Sequence, residues 1–141
     1  MGPHERGFFS IDALFAVTLL LIISSSFLHV YEGRKESAEL MGARLEAQII
    51  GEKLAAAINT VYANGQNFEL DIDLPPKIGS YFYRIEFDDT TRQVLVENSA
   101  WGTVGVGVVC KNVWDFALER ENLGNTIRVH WVENNVMVVN A

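Results

Sequence analysis

The sequence is poor in the features that brace small secreted domains and in those that attract nucleic acid. It holds one cysteine, Cys110, which has no partner for an internal disulfide, so stability outside a cell must come from packing or assembly. Positive charge is scarce. Eleven Lys and Arg stand against 18 Asp and Glu, and a formal net charge of -7 repels DNA and RNA at neutral pH, so no nucleic-acid partner is expected. There is no Asn-x-Ser/Thr acceptor for N-glycosylation. His29, His130 and Cys110 share no spacing that assembles a nucleophile, and Cys110 reads as a buried structural thiol. Asp71, Asp73, Asp88 and Asp89 lack the dense acidic loop with its glycine that calcium needs, and read as solvated strand and turn residues. The sequence therefore points to no enzyme, no metal site and no cofactor.

What it does have is an uneven distribution of apolar residues. At 141 residues the chain holds one modest domain and one long appendage. The 49% hydrophobic fraction is concentrated near the start, where residues 8–31 read FFSIDALFAVTLLLIISSSFLHVY. That meets the roughly 20 apolar residues a helix needs to cross a bilayer. A secretory signal would be shorter, with a basic start and a small-residue cleavage site after the apolar run, so this segment is expected to be retained. Arg6 before it and Arg34 and Lys35 after it leave orientation open. Ser24, Ser25 and Ser26 read as hydroxyls bonded back to helix carbonyls.

The next stretch, residues 32–64, is free of proline and rich in Ala, Leu, Glu and Lys, which extends one helix to about Tyr62 before Asn64-Gly65 stops it. Leu40, Met41, Leu45, Ile49, Leu54, Ile58 and Val61 recur, after the adjacent first pair, at spacings of three to five and are expected to form one buried stripe. Gly33, Gly42 and Gly51 are spaced by nine, which sets the first and third on one face and allows neighbours to approach closely. Unbroken from Phe8, such a helix is about 80 Å long at roughly 1.5 Å per residue.

Beyond residue 65 the period becomes two. Residues 68–74, 81–87, 93–97 and 104–110 alternate like strands, with Pro75-Pro76 and the Asp88–Arg92 segment as breaks. Residues 127–132 and 136–139 flank Asn134-Asn135, a pair suited to a tight hairpin turn. Residues 113–122 are ambiguous, and a strand ending near Leu118 is the preferred reading. The expected fold class is α+β, with a long N-terminal helix whose second half packs on a small antiparallel sheet. Trp101, Trp114 and Trp131 are expected in the core or at subunit contacts.

The segment Arg6 to Leu14, RGFFSIDAL, resembles the class III signal of type IV pilins and their archaeal relatives. In that family a short leader ends in a basic residue and glycine, cleavage follows the glycine, serine is often third after the cut and an acid fifth, and an apolar helix follows. The resemblance implies a leader of residues 1–7 and a processing site at Arg6, Gly7 and Phe8. It further implies a mature N-terminus at Phe8, with Ser10 third and Asp12 fifth. Aspartate stands here in place of the usual glutamate, Phe8 is closer to bacterial pilins, and the absence of the bacterial helix proline implies a continuous helix. The implied partners are copies of the same chain in a helical filament, the membrane before assembly, a prepilin peptidase, and an assembly ATPase with its membrane platform. The implied location is the cell membrane for the precursor and then an extracellular filament on the cell surface. A pseudopilin of a secretion or uptake machine, or a single-pass anchor for a β-domain binding a surface, are the alternatives.

Asp12 supports the resemblance on physical grounds. A carboxylate inside hydrocarbon costs about 2.5–3.5 kcal/mol even on lenient insertion scales, so its presence asks for a counter-charge. Cleavage after Gly7 creates an α-amine on Phe8, four residues before Asp12. Pairing the two within or between subunits lowers the cost of burying both and sets axial register.

Overall fold

The computed structural model describes residues 4–141, with side chains from Ser10 onward. The leader and the processing residues Arg6, Gly7 and Phe8 therefore fall outside the described side chains. One helix, α1, spans His4–Asn64, and seven strands follow: β1 (Glu69–Asp73), β2 (Arg84–Asp88), β3 (Gln93–Asn98), β4 (Gly102–Gly107), β5 (Ala117–Leu118), β6 (Thr126–Val132) and β7 (Asn135–Asn140). The fold is α+β, as the change of period predicts. Compact packing divides the chain at Glu39/Leu40 into two units.

The first unit is helix alone. The second holds Leu40–Asn64 of α1 together with two antiparallel sheets, ordered β1-β6-β7 and β4-β3-β2-β5. A single expected sheet is thus two. Ile72, Ile127, Val129, Val136 and Val138 from the first sheet share one buried cluster with Ile85, Phe87, Val94 and Val96 from the second and with Leu54, Ile58 and Val61 of the helix. The apolar faces of both hairpins therefore meet the second half of α1, each supplying the burial the other lacks.

The helical face that does this differs from the expected stripe. Ala43, Ala47, Ile50, Leu54, Ala57, Ile58 and Val61 are buried, whereas Met41, Leu45 and Ile49 are exposed. The five-residue step from Ile49 to Leu54 turns the direction by roughly 140°, at about 100° per residue, so the seven apolar positions lie on two faces and not one. Small residues fill the buried face because the sheets come close. A Cβ built on Gly51 lies 2.8 Å from Val106 Cγ2, while Gly33 and Gly42 have open space. Trp131 Nε1 donates to the Val61 carbonyl at 2.9 Å and its ring stacks on Tyr62 at 5.6 Å. The helix ends as expected, with Gly65 at a φ of 88° and its N–H bonded to Val61 O.

Several strands differ in extent from what alternation suggests, and of the strand expected to end near Leu118 only Ala117 and Leu118 form one, β5. Residues 81–83 stay outside β2 because Tyr81 closes a turn with Ile78 through two backbone hydrogen bonds, and the Tyr83 hydroxyl donates to Pro75 O. Burial pushes the Tyr83 phenol well above its ordinary range. Residues 108–110 leave β4 because the amides of Val109 and Cys110 both donate to Asn59 Oδ1 on the helix. The last hairpin turns one residue earlier than expected. Glu133 and Asn134 carry positive φ values of 47° and 70°, and Asn135 already pairs with Val132.

Candidate functional site: the exposed apolar helix

From Ser10 to Tyr31 the backbone satisfies itself by helical hydrogen bonding, and every side chain is exposed among the described residues. Ile11, Leu14, Phe15, Val17, Leu19–Ile23, Phe27, Leu28, Val30 and Tyr31 are all exposed, with Phe27 72% accessible. Leu19 to Ile23 are five consecutive large apolar residues, so at about 100° per residue they cover the whole circumference. A helix that is apolar all round belongs in a membrane or among other apolar helices. Left in water, each such side chain forfeits about 1.5–3 kcal/mol of burial. Among the described residues this is the one helix long and apolar enough to cross a membrane.

The polar groups in this surface are few. Thr18 Oγ1 donates to Leu14 O at 2.7 Å and Ser26 Oγ donates to Ile22 O at 2.9 Å, so both hydroxyls are satisfied within the helix. Of the serine run, Ser26 makes the expected back-bond whereas Ser24 and Ser25 make none among the described residues, and Thr18 makes another. Such bonds let polar residues sit in hydrocarbon at little cost. Ser10 and Asp12 are exposed, and among the described residues no cation lies within ion-pair distance of Asp12. Asp12 is the only formally charged residue from Ser10 to Tyr31. Phe8, its expected partner, lies outside the described side chains.

The second unit presents its own exposed apolar stripe. Met41, Leu45 and Ile49 stand at i, i+4 and i+8 on the helix face opposite the sheets, each more than half accessible. Composition alone did not separate this face from the buried one. The signal that does is angular: the three residues fall together only when each is placed on the helical wheel.

The remaining chemical candidates take structural places. Cys110 is fully buried, three residues beyond β4, and burial pushes its thiol up. Asp71 accepts two hydrogen bonds from Arg128 at 2.8 and 2.9 Å, which holds its carboxyl below the ordinary value. Asp73 accepts from Thr126 Oγ1. Asp88 accepts from the amides and a hydroxyl of Thr90 and Thr91, closing the β2–β3 turn, and these bonds lower its pKa as well. Trp101 is buried, Trp131 half-buried and Trp114 exposed. Arg84 faces Glu86, Glu97 and Glu119 on the outer side of the four-stranded sheet. Among the described residues no group of three His, Cys, Asp or Glu side chains converges as a metal site.

No family model, no curated protein and no solved structure matches the chain.

Proposed function

We propose that this chain is a structural subunit of a type IV pilus-like extracellular filament, held in the membrane by residues 8–31 and assembled through them after removal of residues 1–7. The observation that carries the reading is the apolar circumference of residues 11–31, whose large side chains are all exposed among the described residues. A bilayer covers that surface in the precursor. The same segments of neighbouring copies cover it in a filament, so burial is preserved as the subunit leaves the membrane. The stripe of Met41, Leu45 and Ile49 supplies a second helical contact with a neighbouring copy. In this reading a prepilin peptidase cuts between Gly7 and Phe8, and an assembly ATPase with its membrane platform extracts the subunit. The chain is the substrate of the first of these and catalyses nothing itself.

Asp12 provides the test. Asp12→Ala is expected to enter the membrane more readily, since the one charge of the apolar run is gone. It is also expected to be processed but to yield few filaments, because the Phe8 α-amine then enters the core without its counter-charge. Deleting one partner of a buried pair costs about 3–5 kcal/mol. Asp12→Glu restores the charge and the filaments. Stable filaments at wild-type yield from correctly processed Asp12→Ala protein would remove Asp12 from the assembly mechanism.

A further inference from the structure

The two sheets have four outer edges, and three of them are blunted. β1 carries Glu69, Asp71 and Asp73. β5 is two residues long. β7 is covered in part by residues 112–114, through Trp114 N–H to Val136 O and Val136 N–H to Asn112 O. These are the devices by which sheets avoid edge-to-edge pairing. β4 has none of them. Its six residues, Gly102–Gly107, contain no charge and no proline, and Val108 and Val109 beyond it are uncharged too.

The direction of its hydrogen bonds is fixed by the register. Val94 stands opposite Val106 and Val96 opposite Val104, and the Val108 amide donates to Arg92 O two residues further on. In an antiparallel ladder hydrogen-bonded pairs alternate, so Val104 and Val106 bond inward to β3. Thr103, Gly105 and Gly107 then direct their N–H and C=O outward, and all three are exposed with no backbone partner among the described residues. The outward groups are symmetric about Gly105.

We propose that β4 is a strand-addition edge that pairs antiparallel with β4 of a second copy, Gly105 opposite Gly105 and Thr103 opposite Gly107. Three features select a second copy as the occupant. The mirror spacing lets each outward donor meet an outward acceptor of the same strand. Two molecules of net charge -7 meet at an uncharged edge, with no like charges directly opposed along it. Val104 of each copy falls opposite Val106 of the other in a non-hydrogen-bonded pair, where side chains come closest, and the parts of these half-buried valines left open to solvent cover one another. The pairing needs no filament. Where copies are arrayed in one, it repeats along the array, and many weak pairings add to a strong lateral contact. The dyad reverses strand direction, so it joins copies carried by separate arrays.

The test is residue-resolved amide hydrogen exchange on the full chain in detergent micelles over a range of protein concentration. Expected is slow exchange of Val104 and Val106 throughout, and protection of Thr103, Gly105 and Gly107 that appears as concentration rises. Gly107→Pro removes an outward donor at a site where a Cβ meets nothing within 4 Å, and Thr103→Lys sets a charged side chain at each end of the paired edge. Each should abolish the concentration-dependent protection while Val104 and Val106 stay protected, which certifies the fold. Protection of the outward amides in samples shown by sedimentation to be monomeric, or protection of Thr103 and Gly105 that survives Gly107→Pro, overturns the proposal. So does their free exchange in samples shown by sedimentation to be self-associated, and so does capture of the edge by an unrelated extended peptide with no pairing between copies.

Discussion

The two parts of α1 obey the same backbone rules and opposite side-chain rules. Between Ser10 and Tyr31 most residues are large and apolar, and the whole segment is exposed. Between Ala43 and Val61 the buried face is built largely from alanine, Gly51 and a few branched residues, and it is covered by two sheets. Size explains the difference. Small residues let a sheet approach a helix closely within one chain, whereas bulky residues round a full circumference suit a fluid or multi-helix surrounding that adapts to them. Apolar content alone does not tell a core from an assembly surface. The side on which it lies, and the room left for a neighbour, do.

The sharpest way to break this comparison is to truncate one leucine from each part. Leu54→Ala leaves a cavity among fully buried side chains and should destabilise the sheet-bearing unit by about 2–5 kcal/mol in denaturant titrations of detergent-solubilised protein. Leu20→Ala should leave that unit's midpoint unchanged, since Leu20 is exposed and belongs to the other unit. A shared loss would mean that the first unit supports the second.

A smaller effect separates the three evenly spaced glycines. Gly51→Val drives a side chain into Val106 and should cost about 1–3 kcal/mol by overpacking. Gly42→Ala, in open space on the same helix, should raise stability by about 0.5–1 kcal/mol. Thermal unfolding of the two variants beside the wild type checks both signs.

Much of this architecture was legible in the residues. The strands follow from alternation, and the helix end from Asn64-Gly65, because both signals are local. The apolar run of residues 8–31 was equally plain, and it is the larger part of the candidate site. The misreadings have non-local causes. The Asn59 carboxamide draws the amides of Val109 and Cys110 out of β4 from a position 50 residues earlier, and no local pattern announces that. The exposed stripe of Met41, Leu45 and Ile49 continues into Leu54, Ile58 and Val61 at similar spacing, so large apolar residues alone do not tell the two faces apart. Ala43 and Ala47 mark the buried face.

The smallest expected effect concerns the surface charges of the three-stranded sheet. The Asp71 carboxyl is held below its ordinary value of 3.8, first by its hydrogen bonds from Arg128 and then by the charge of that residue. A depressed folded value means that the carboxylate form stabilises the fold above the unfolded value. The contribution fades as pH falls through the folded one. Wild type should therefore exceed Asp71→Asn in melting temperature at neutral pH, and the gap should close below pH 3.8. The difference should also shrink in high salt, since the pair is exposed. A gap that persists in acid would assign the effect to packing.

The central claim is that residues 1–7 are removed and residues 8–31 become the buried surface of an assembly. N-terminal mass spectrometry of the protein recovered from its native cell surface tests this most directly. Expected is a mature chain beginning at Phe8 in material that sediments as filaments, with the uncut chain confined to the membrane fraction. Intact Met1–Gly7 on protein taken from extracellular filaments, or an uncut chain found only as a dispersed membrane anchor, would contradict it.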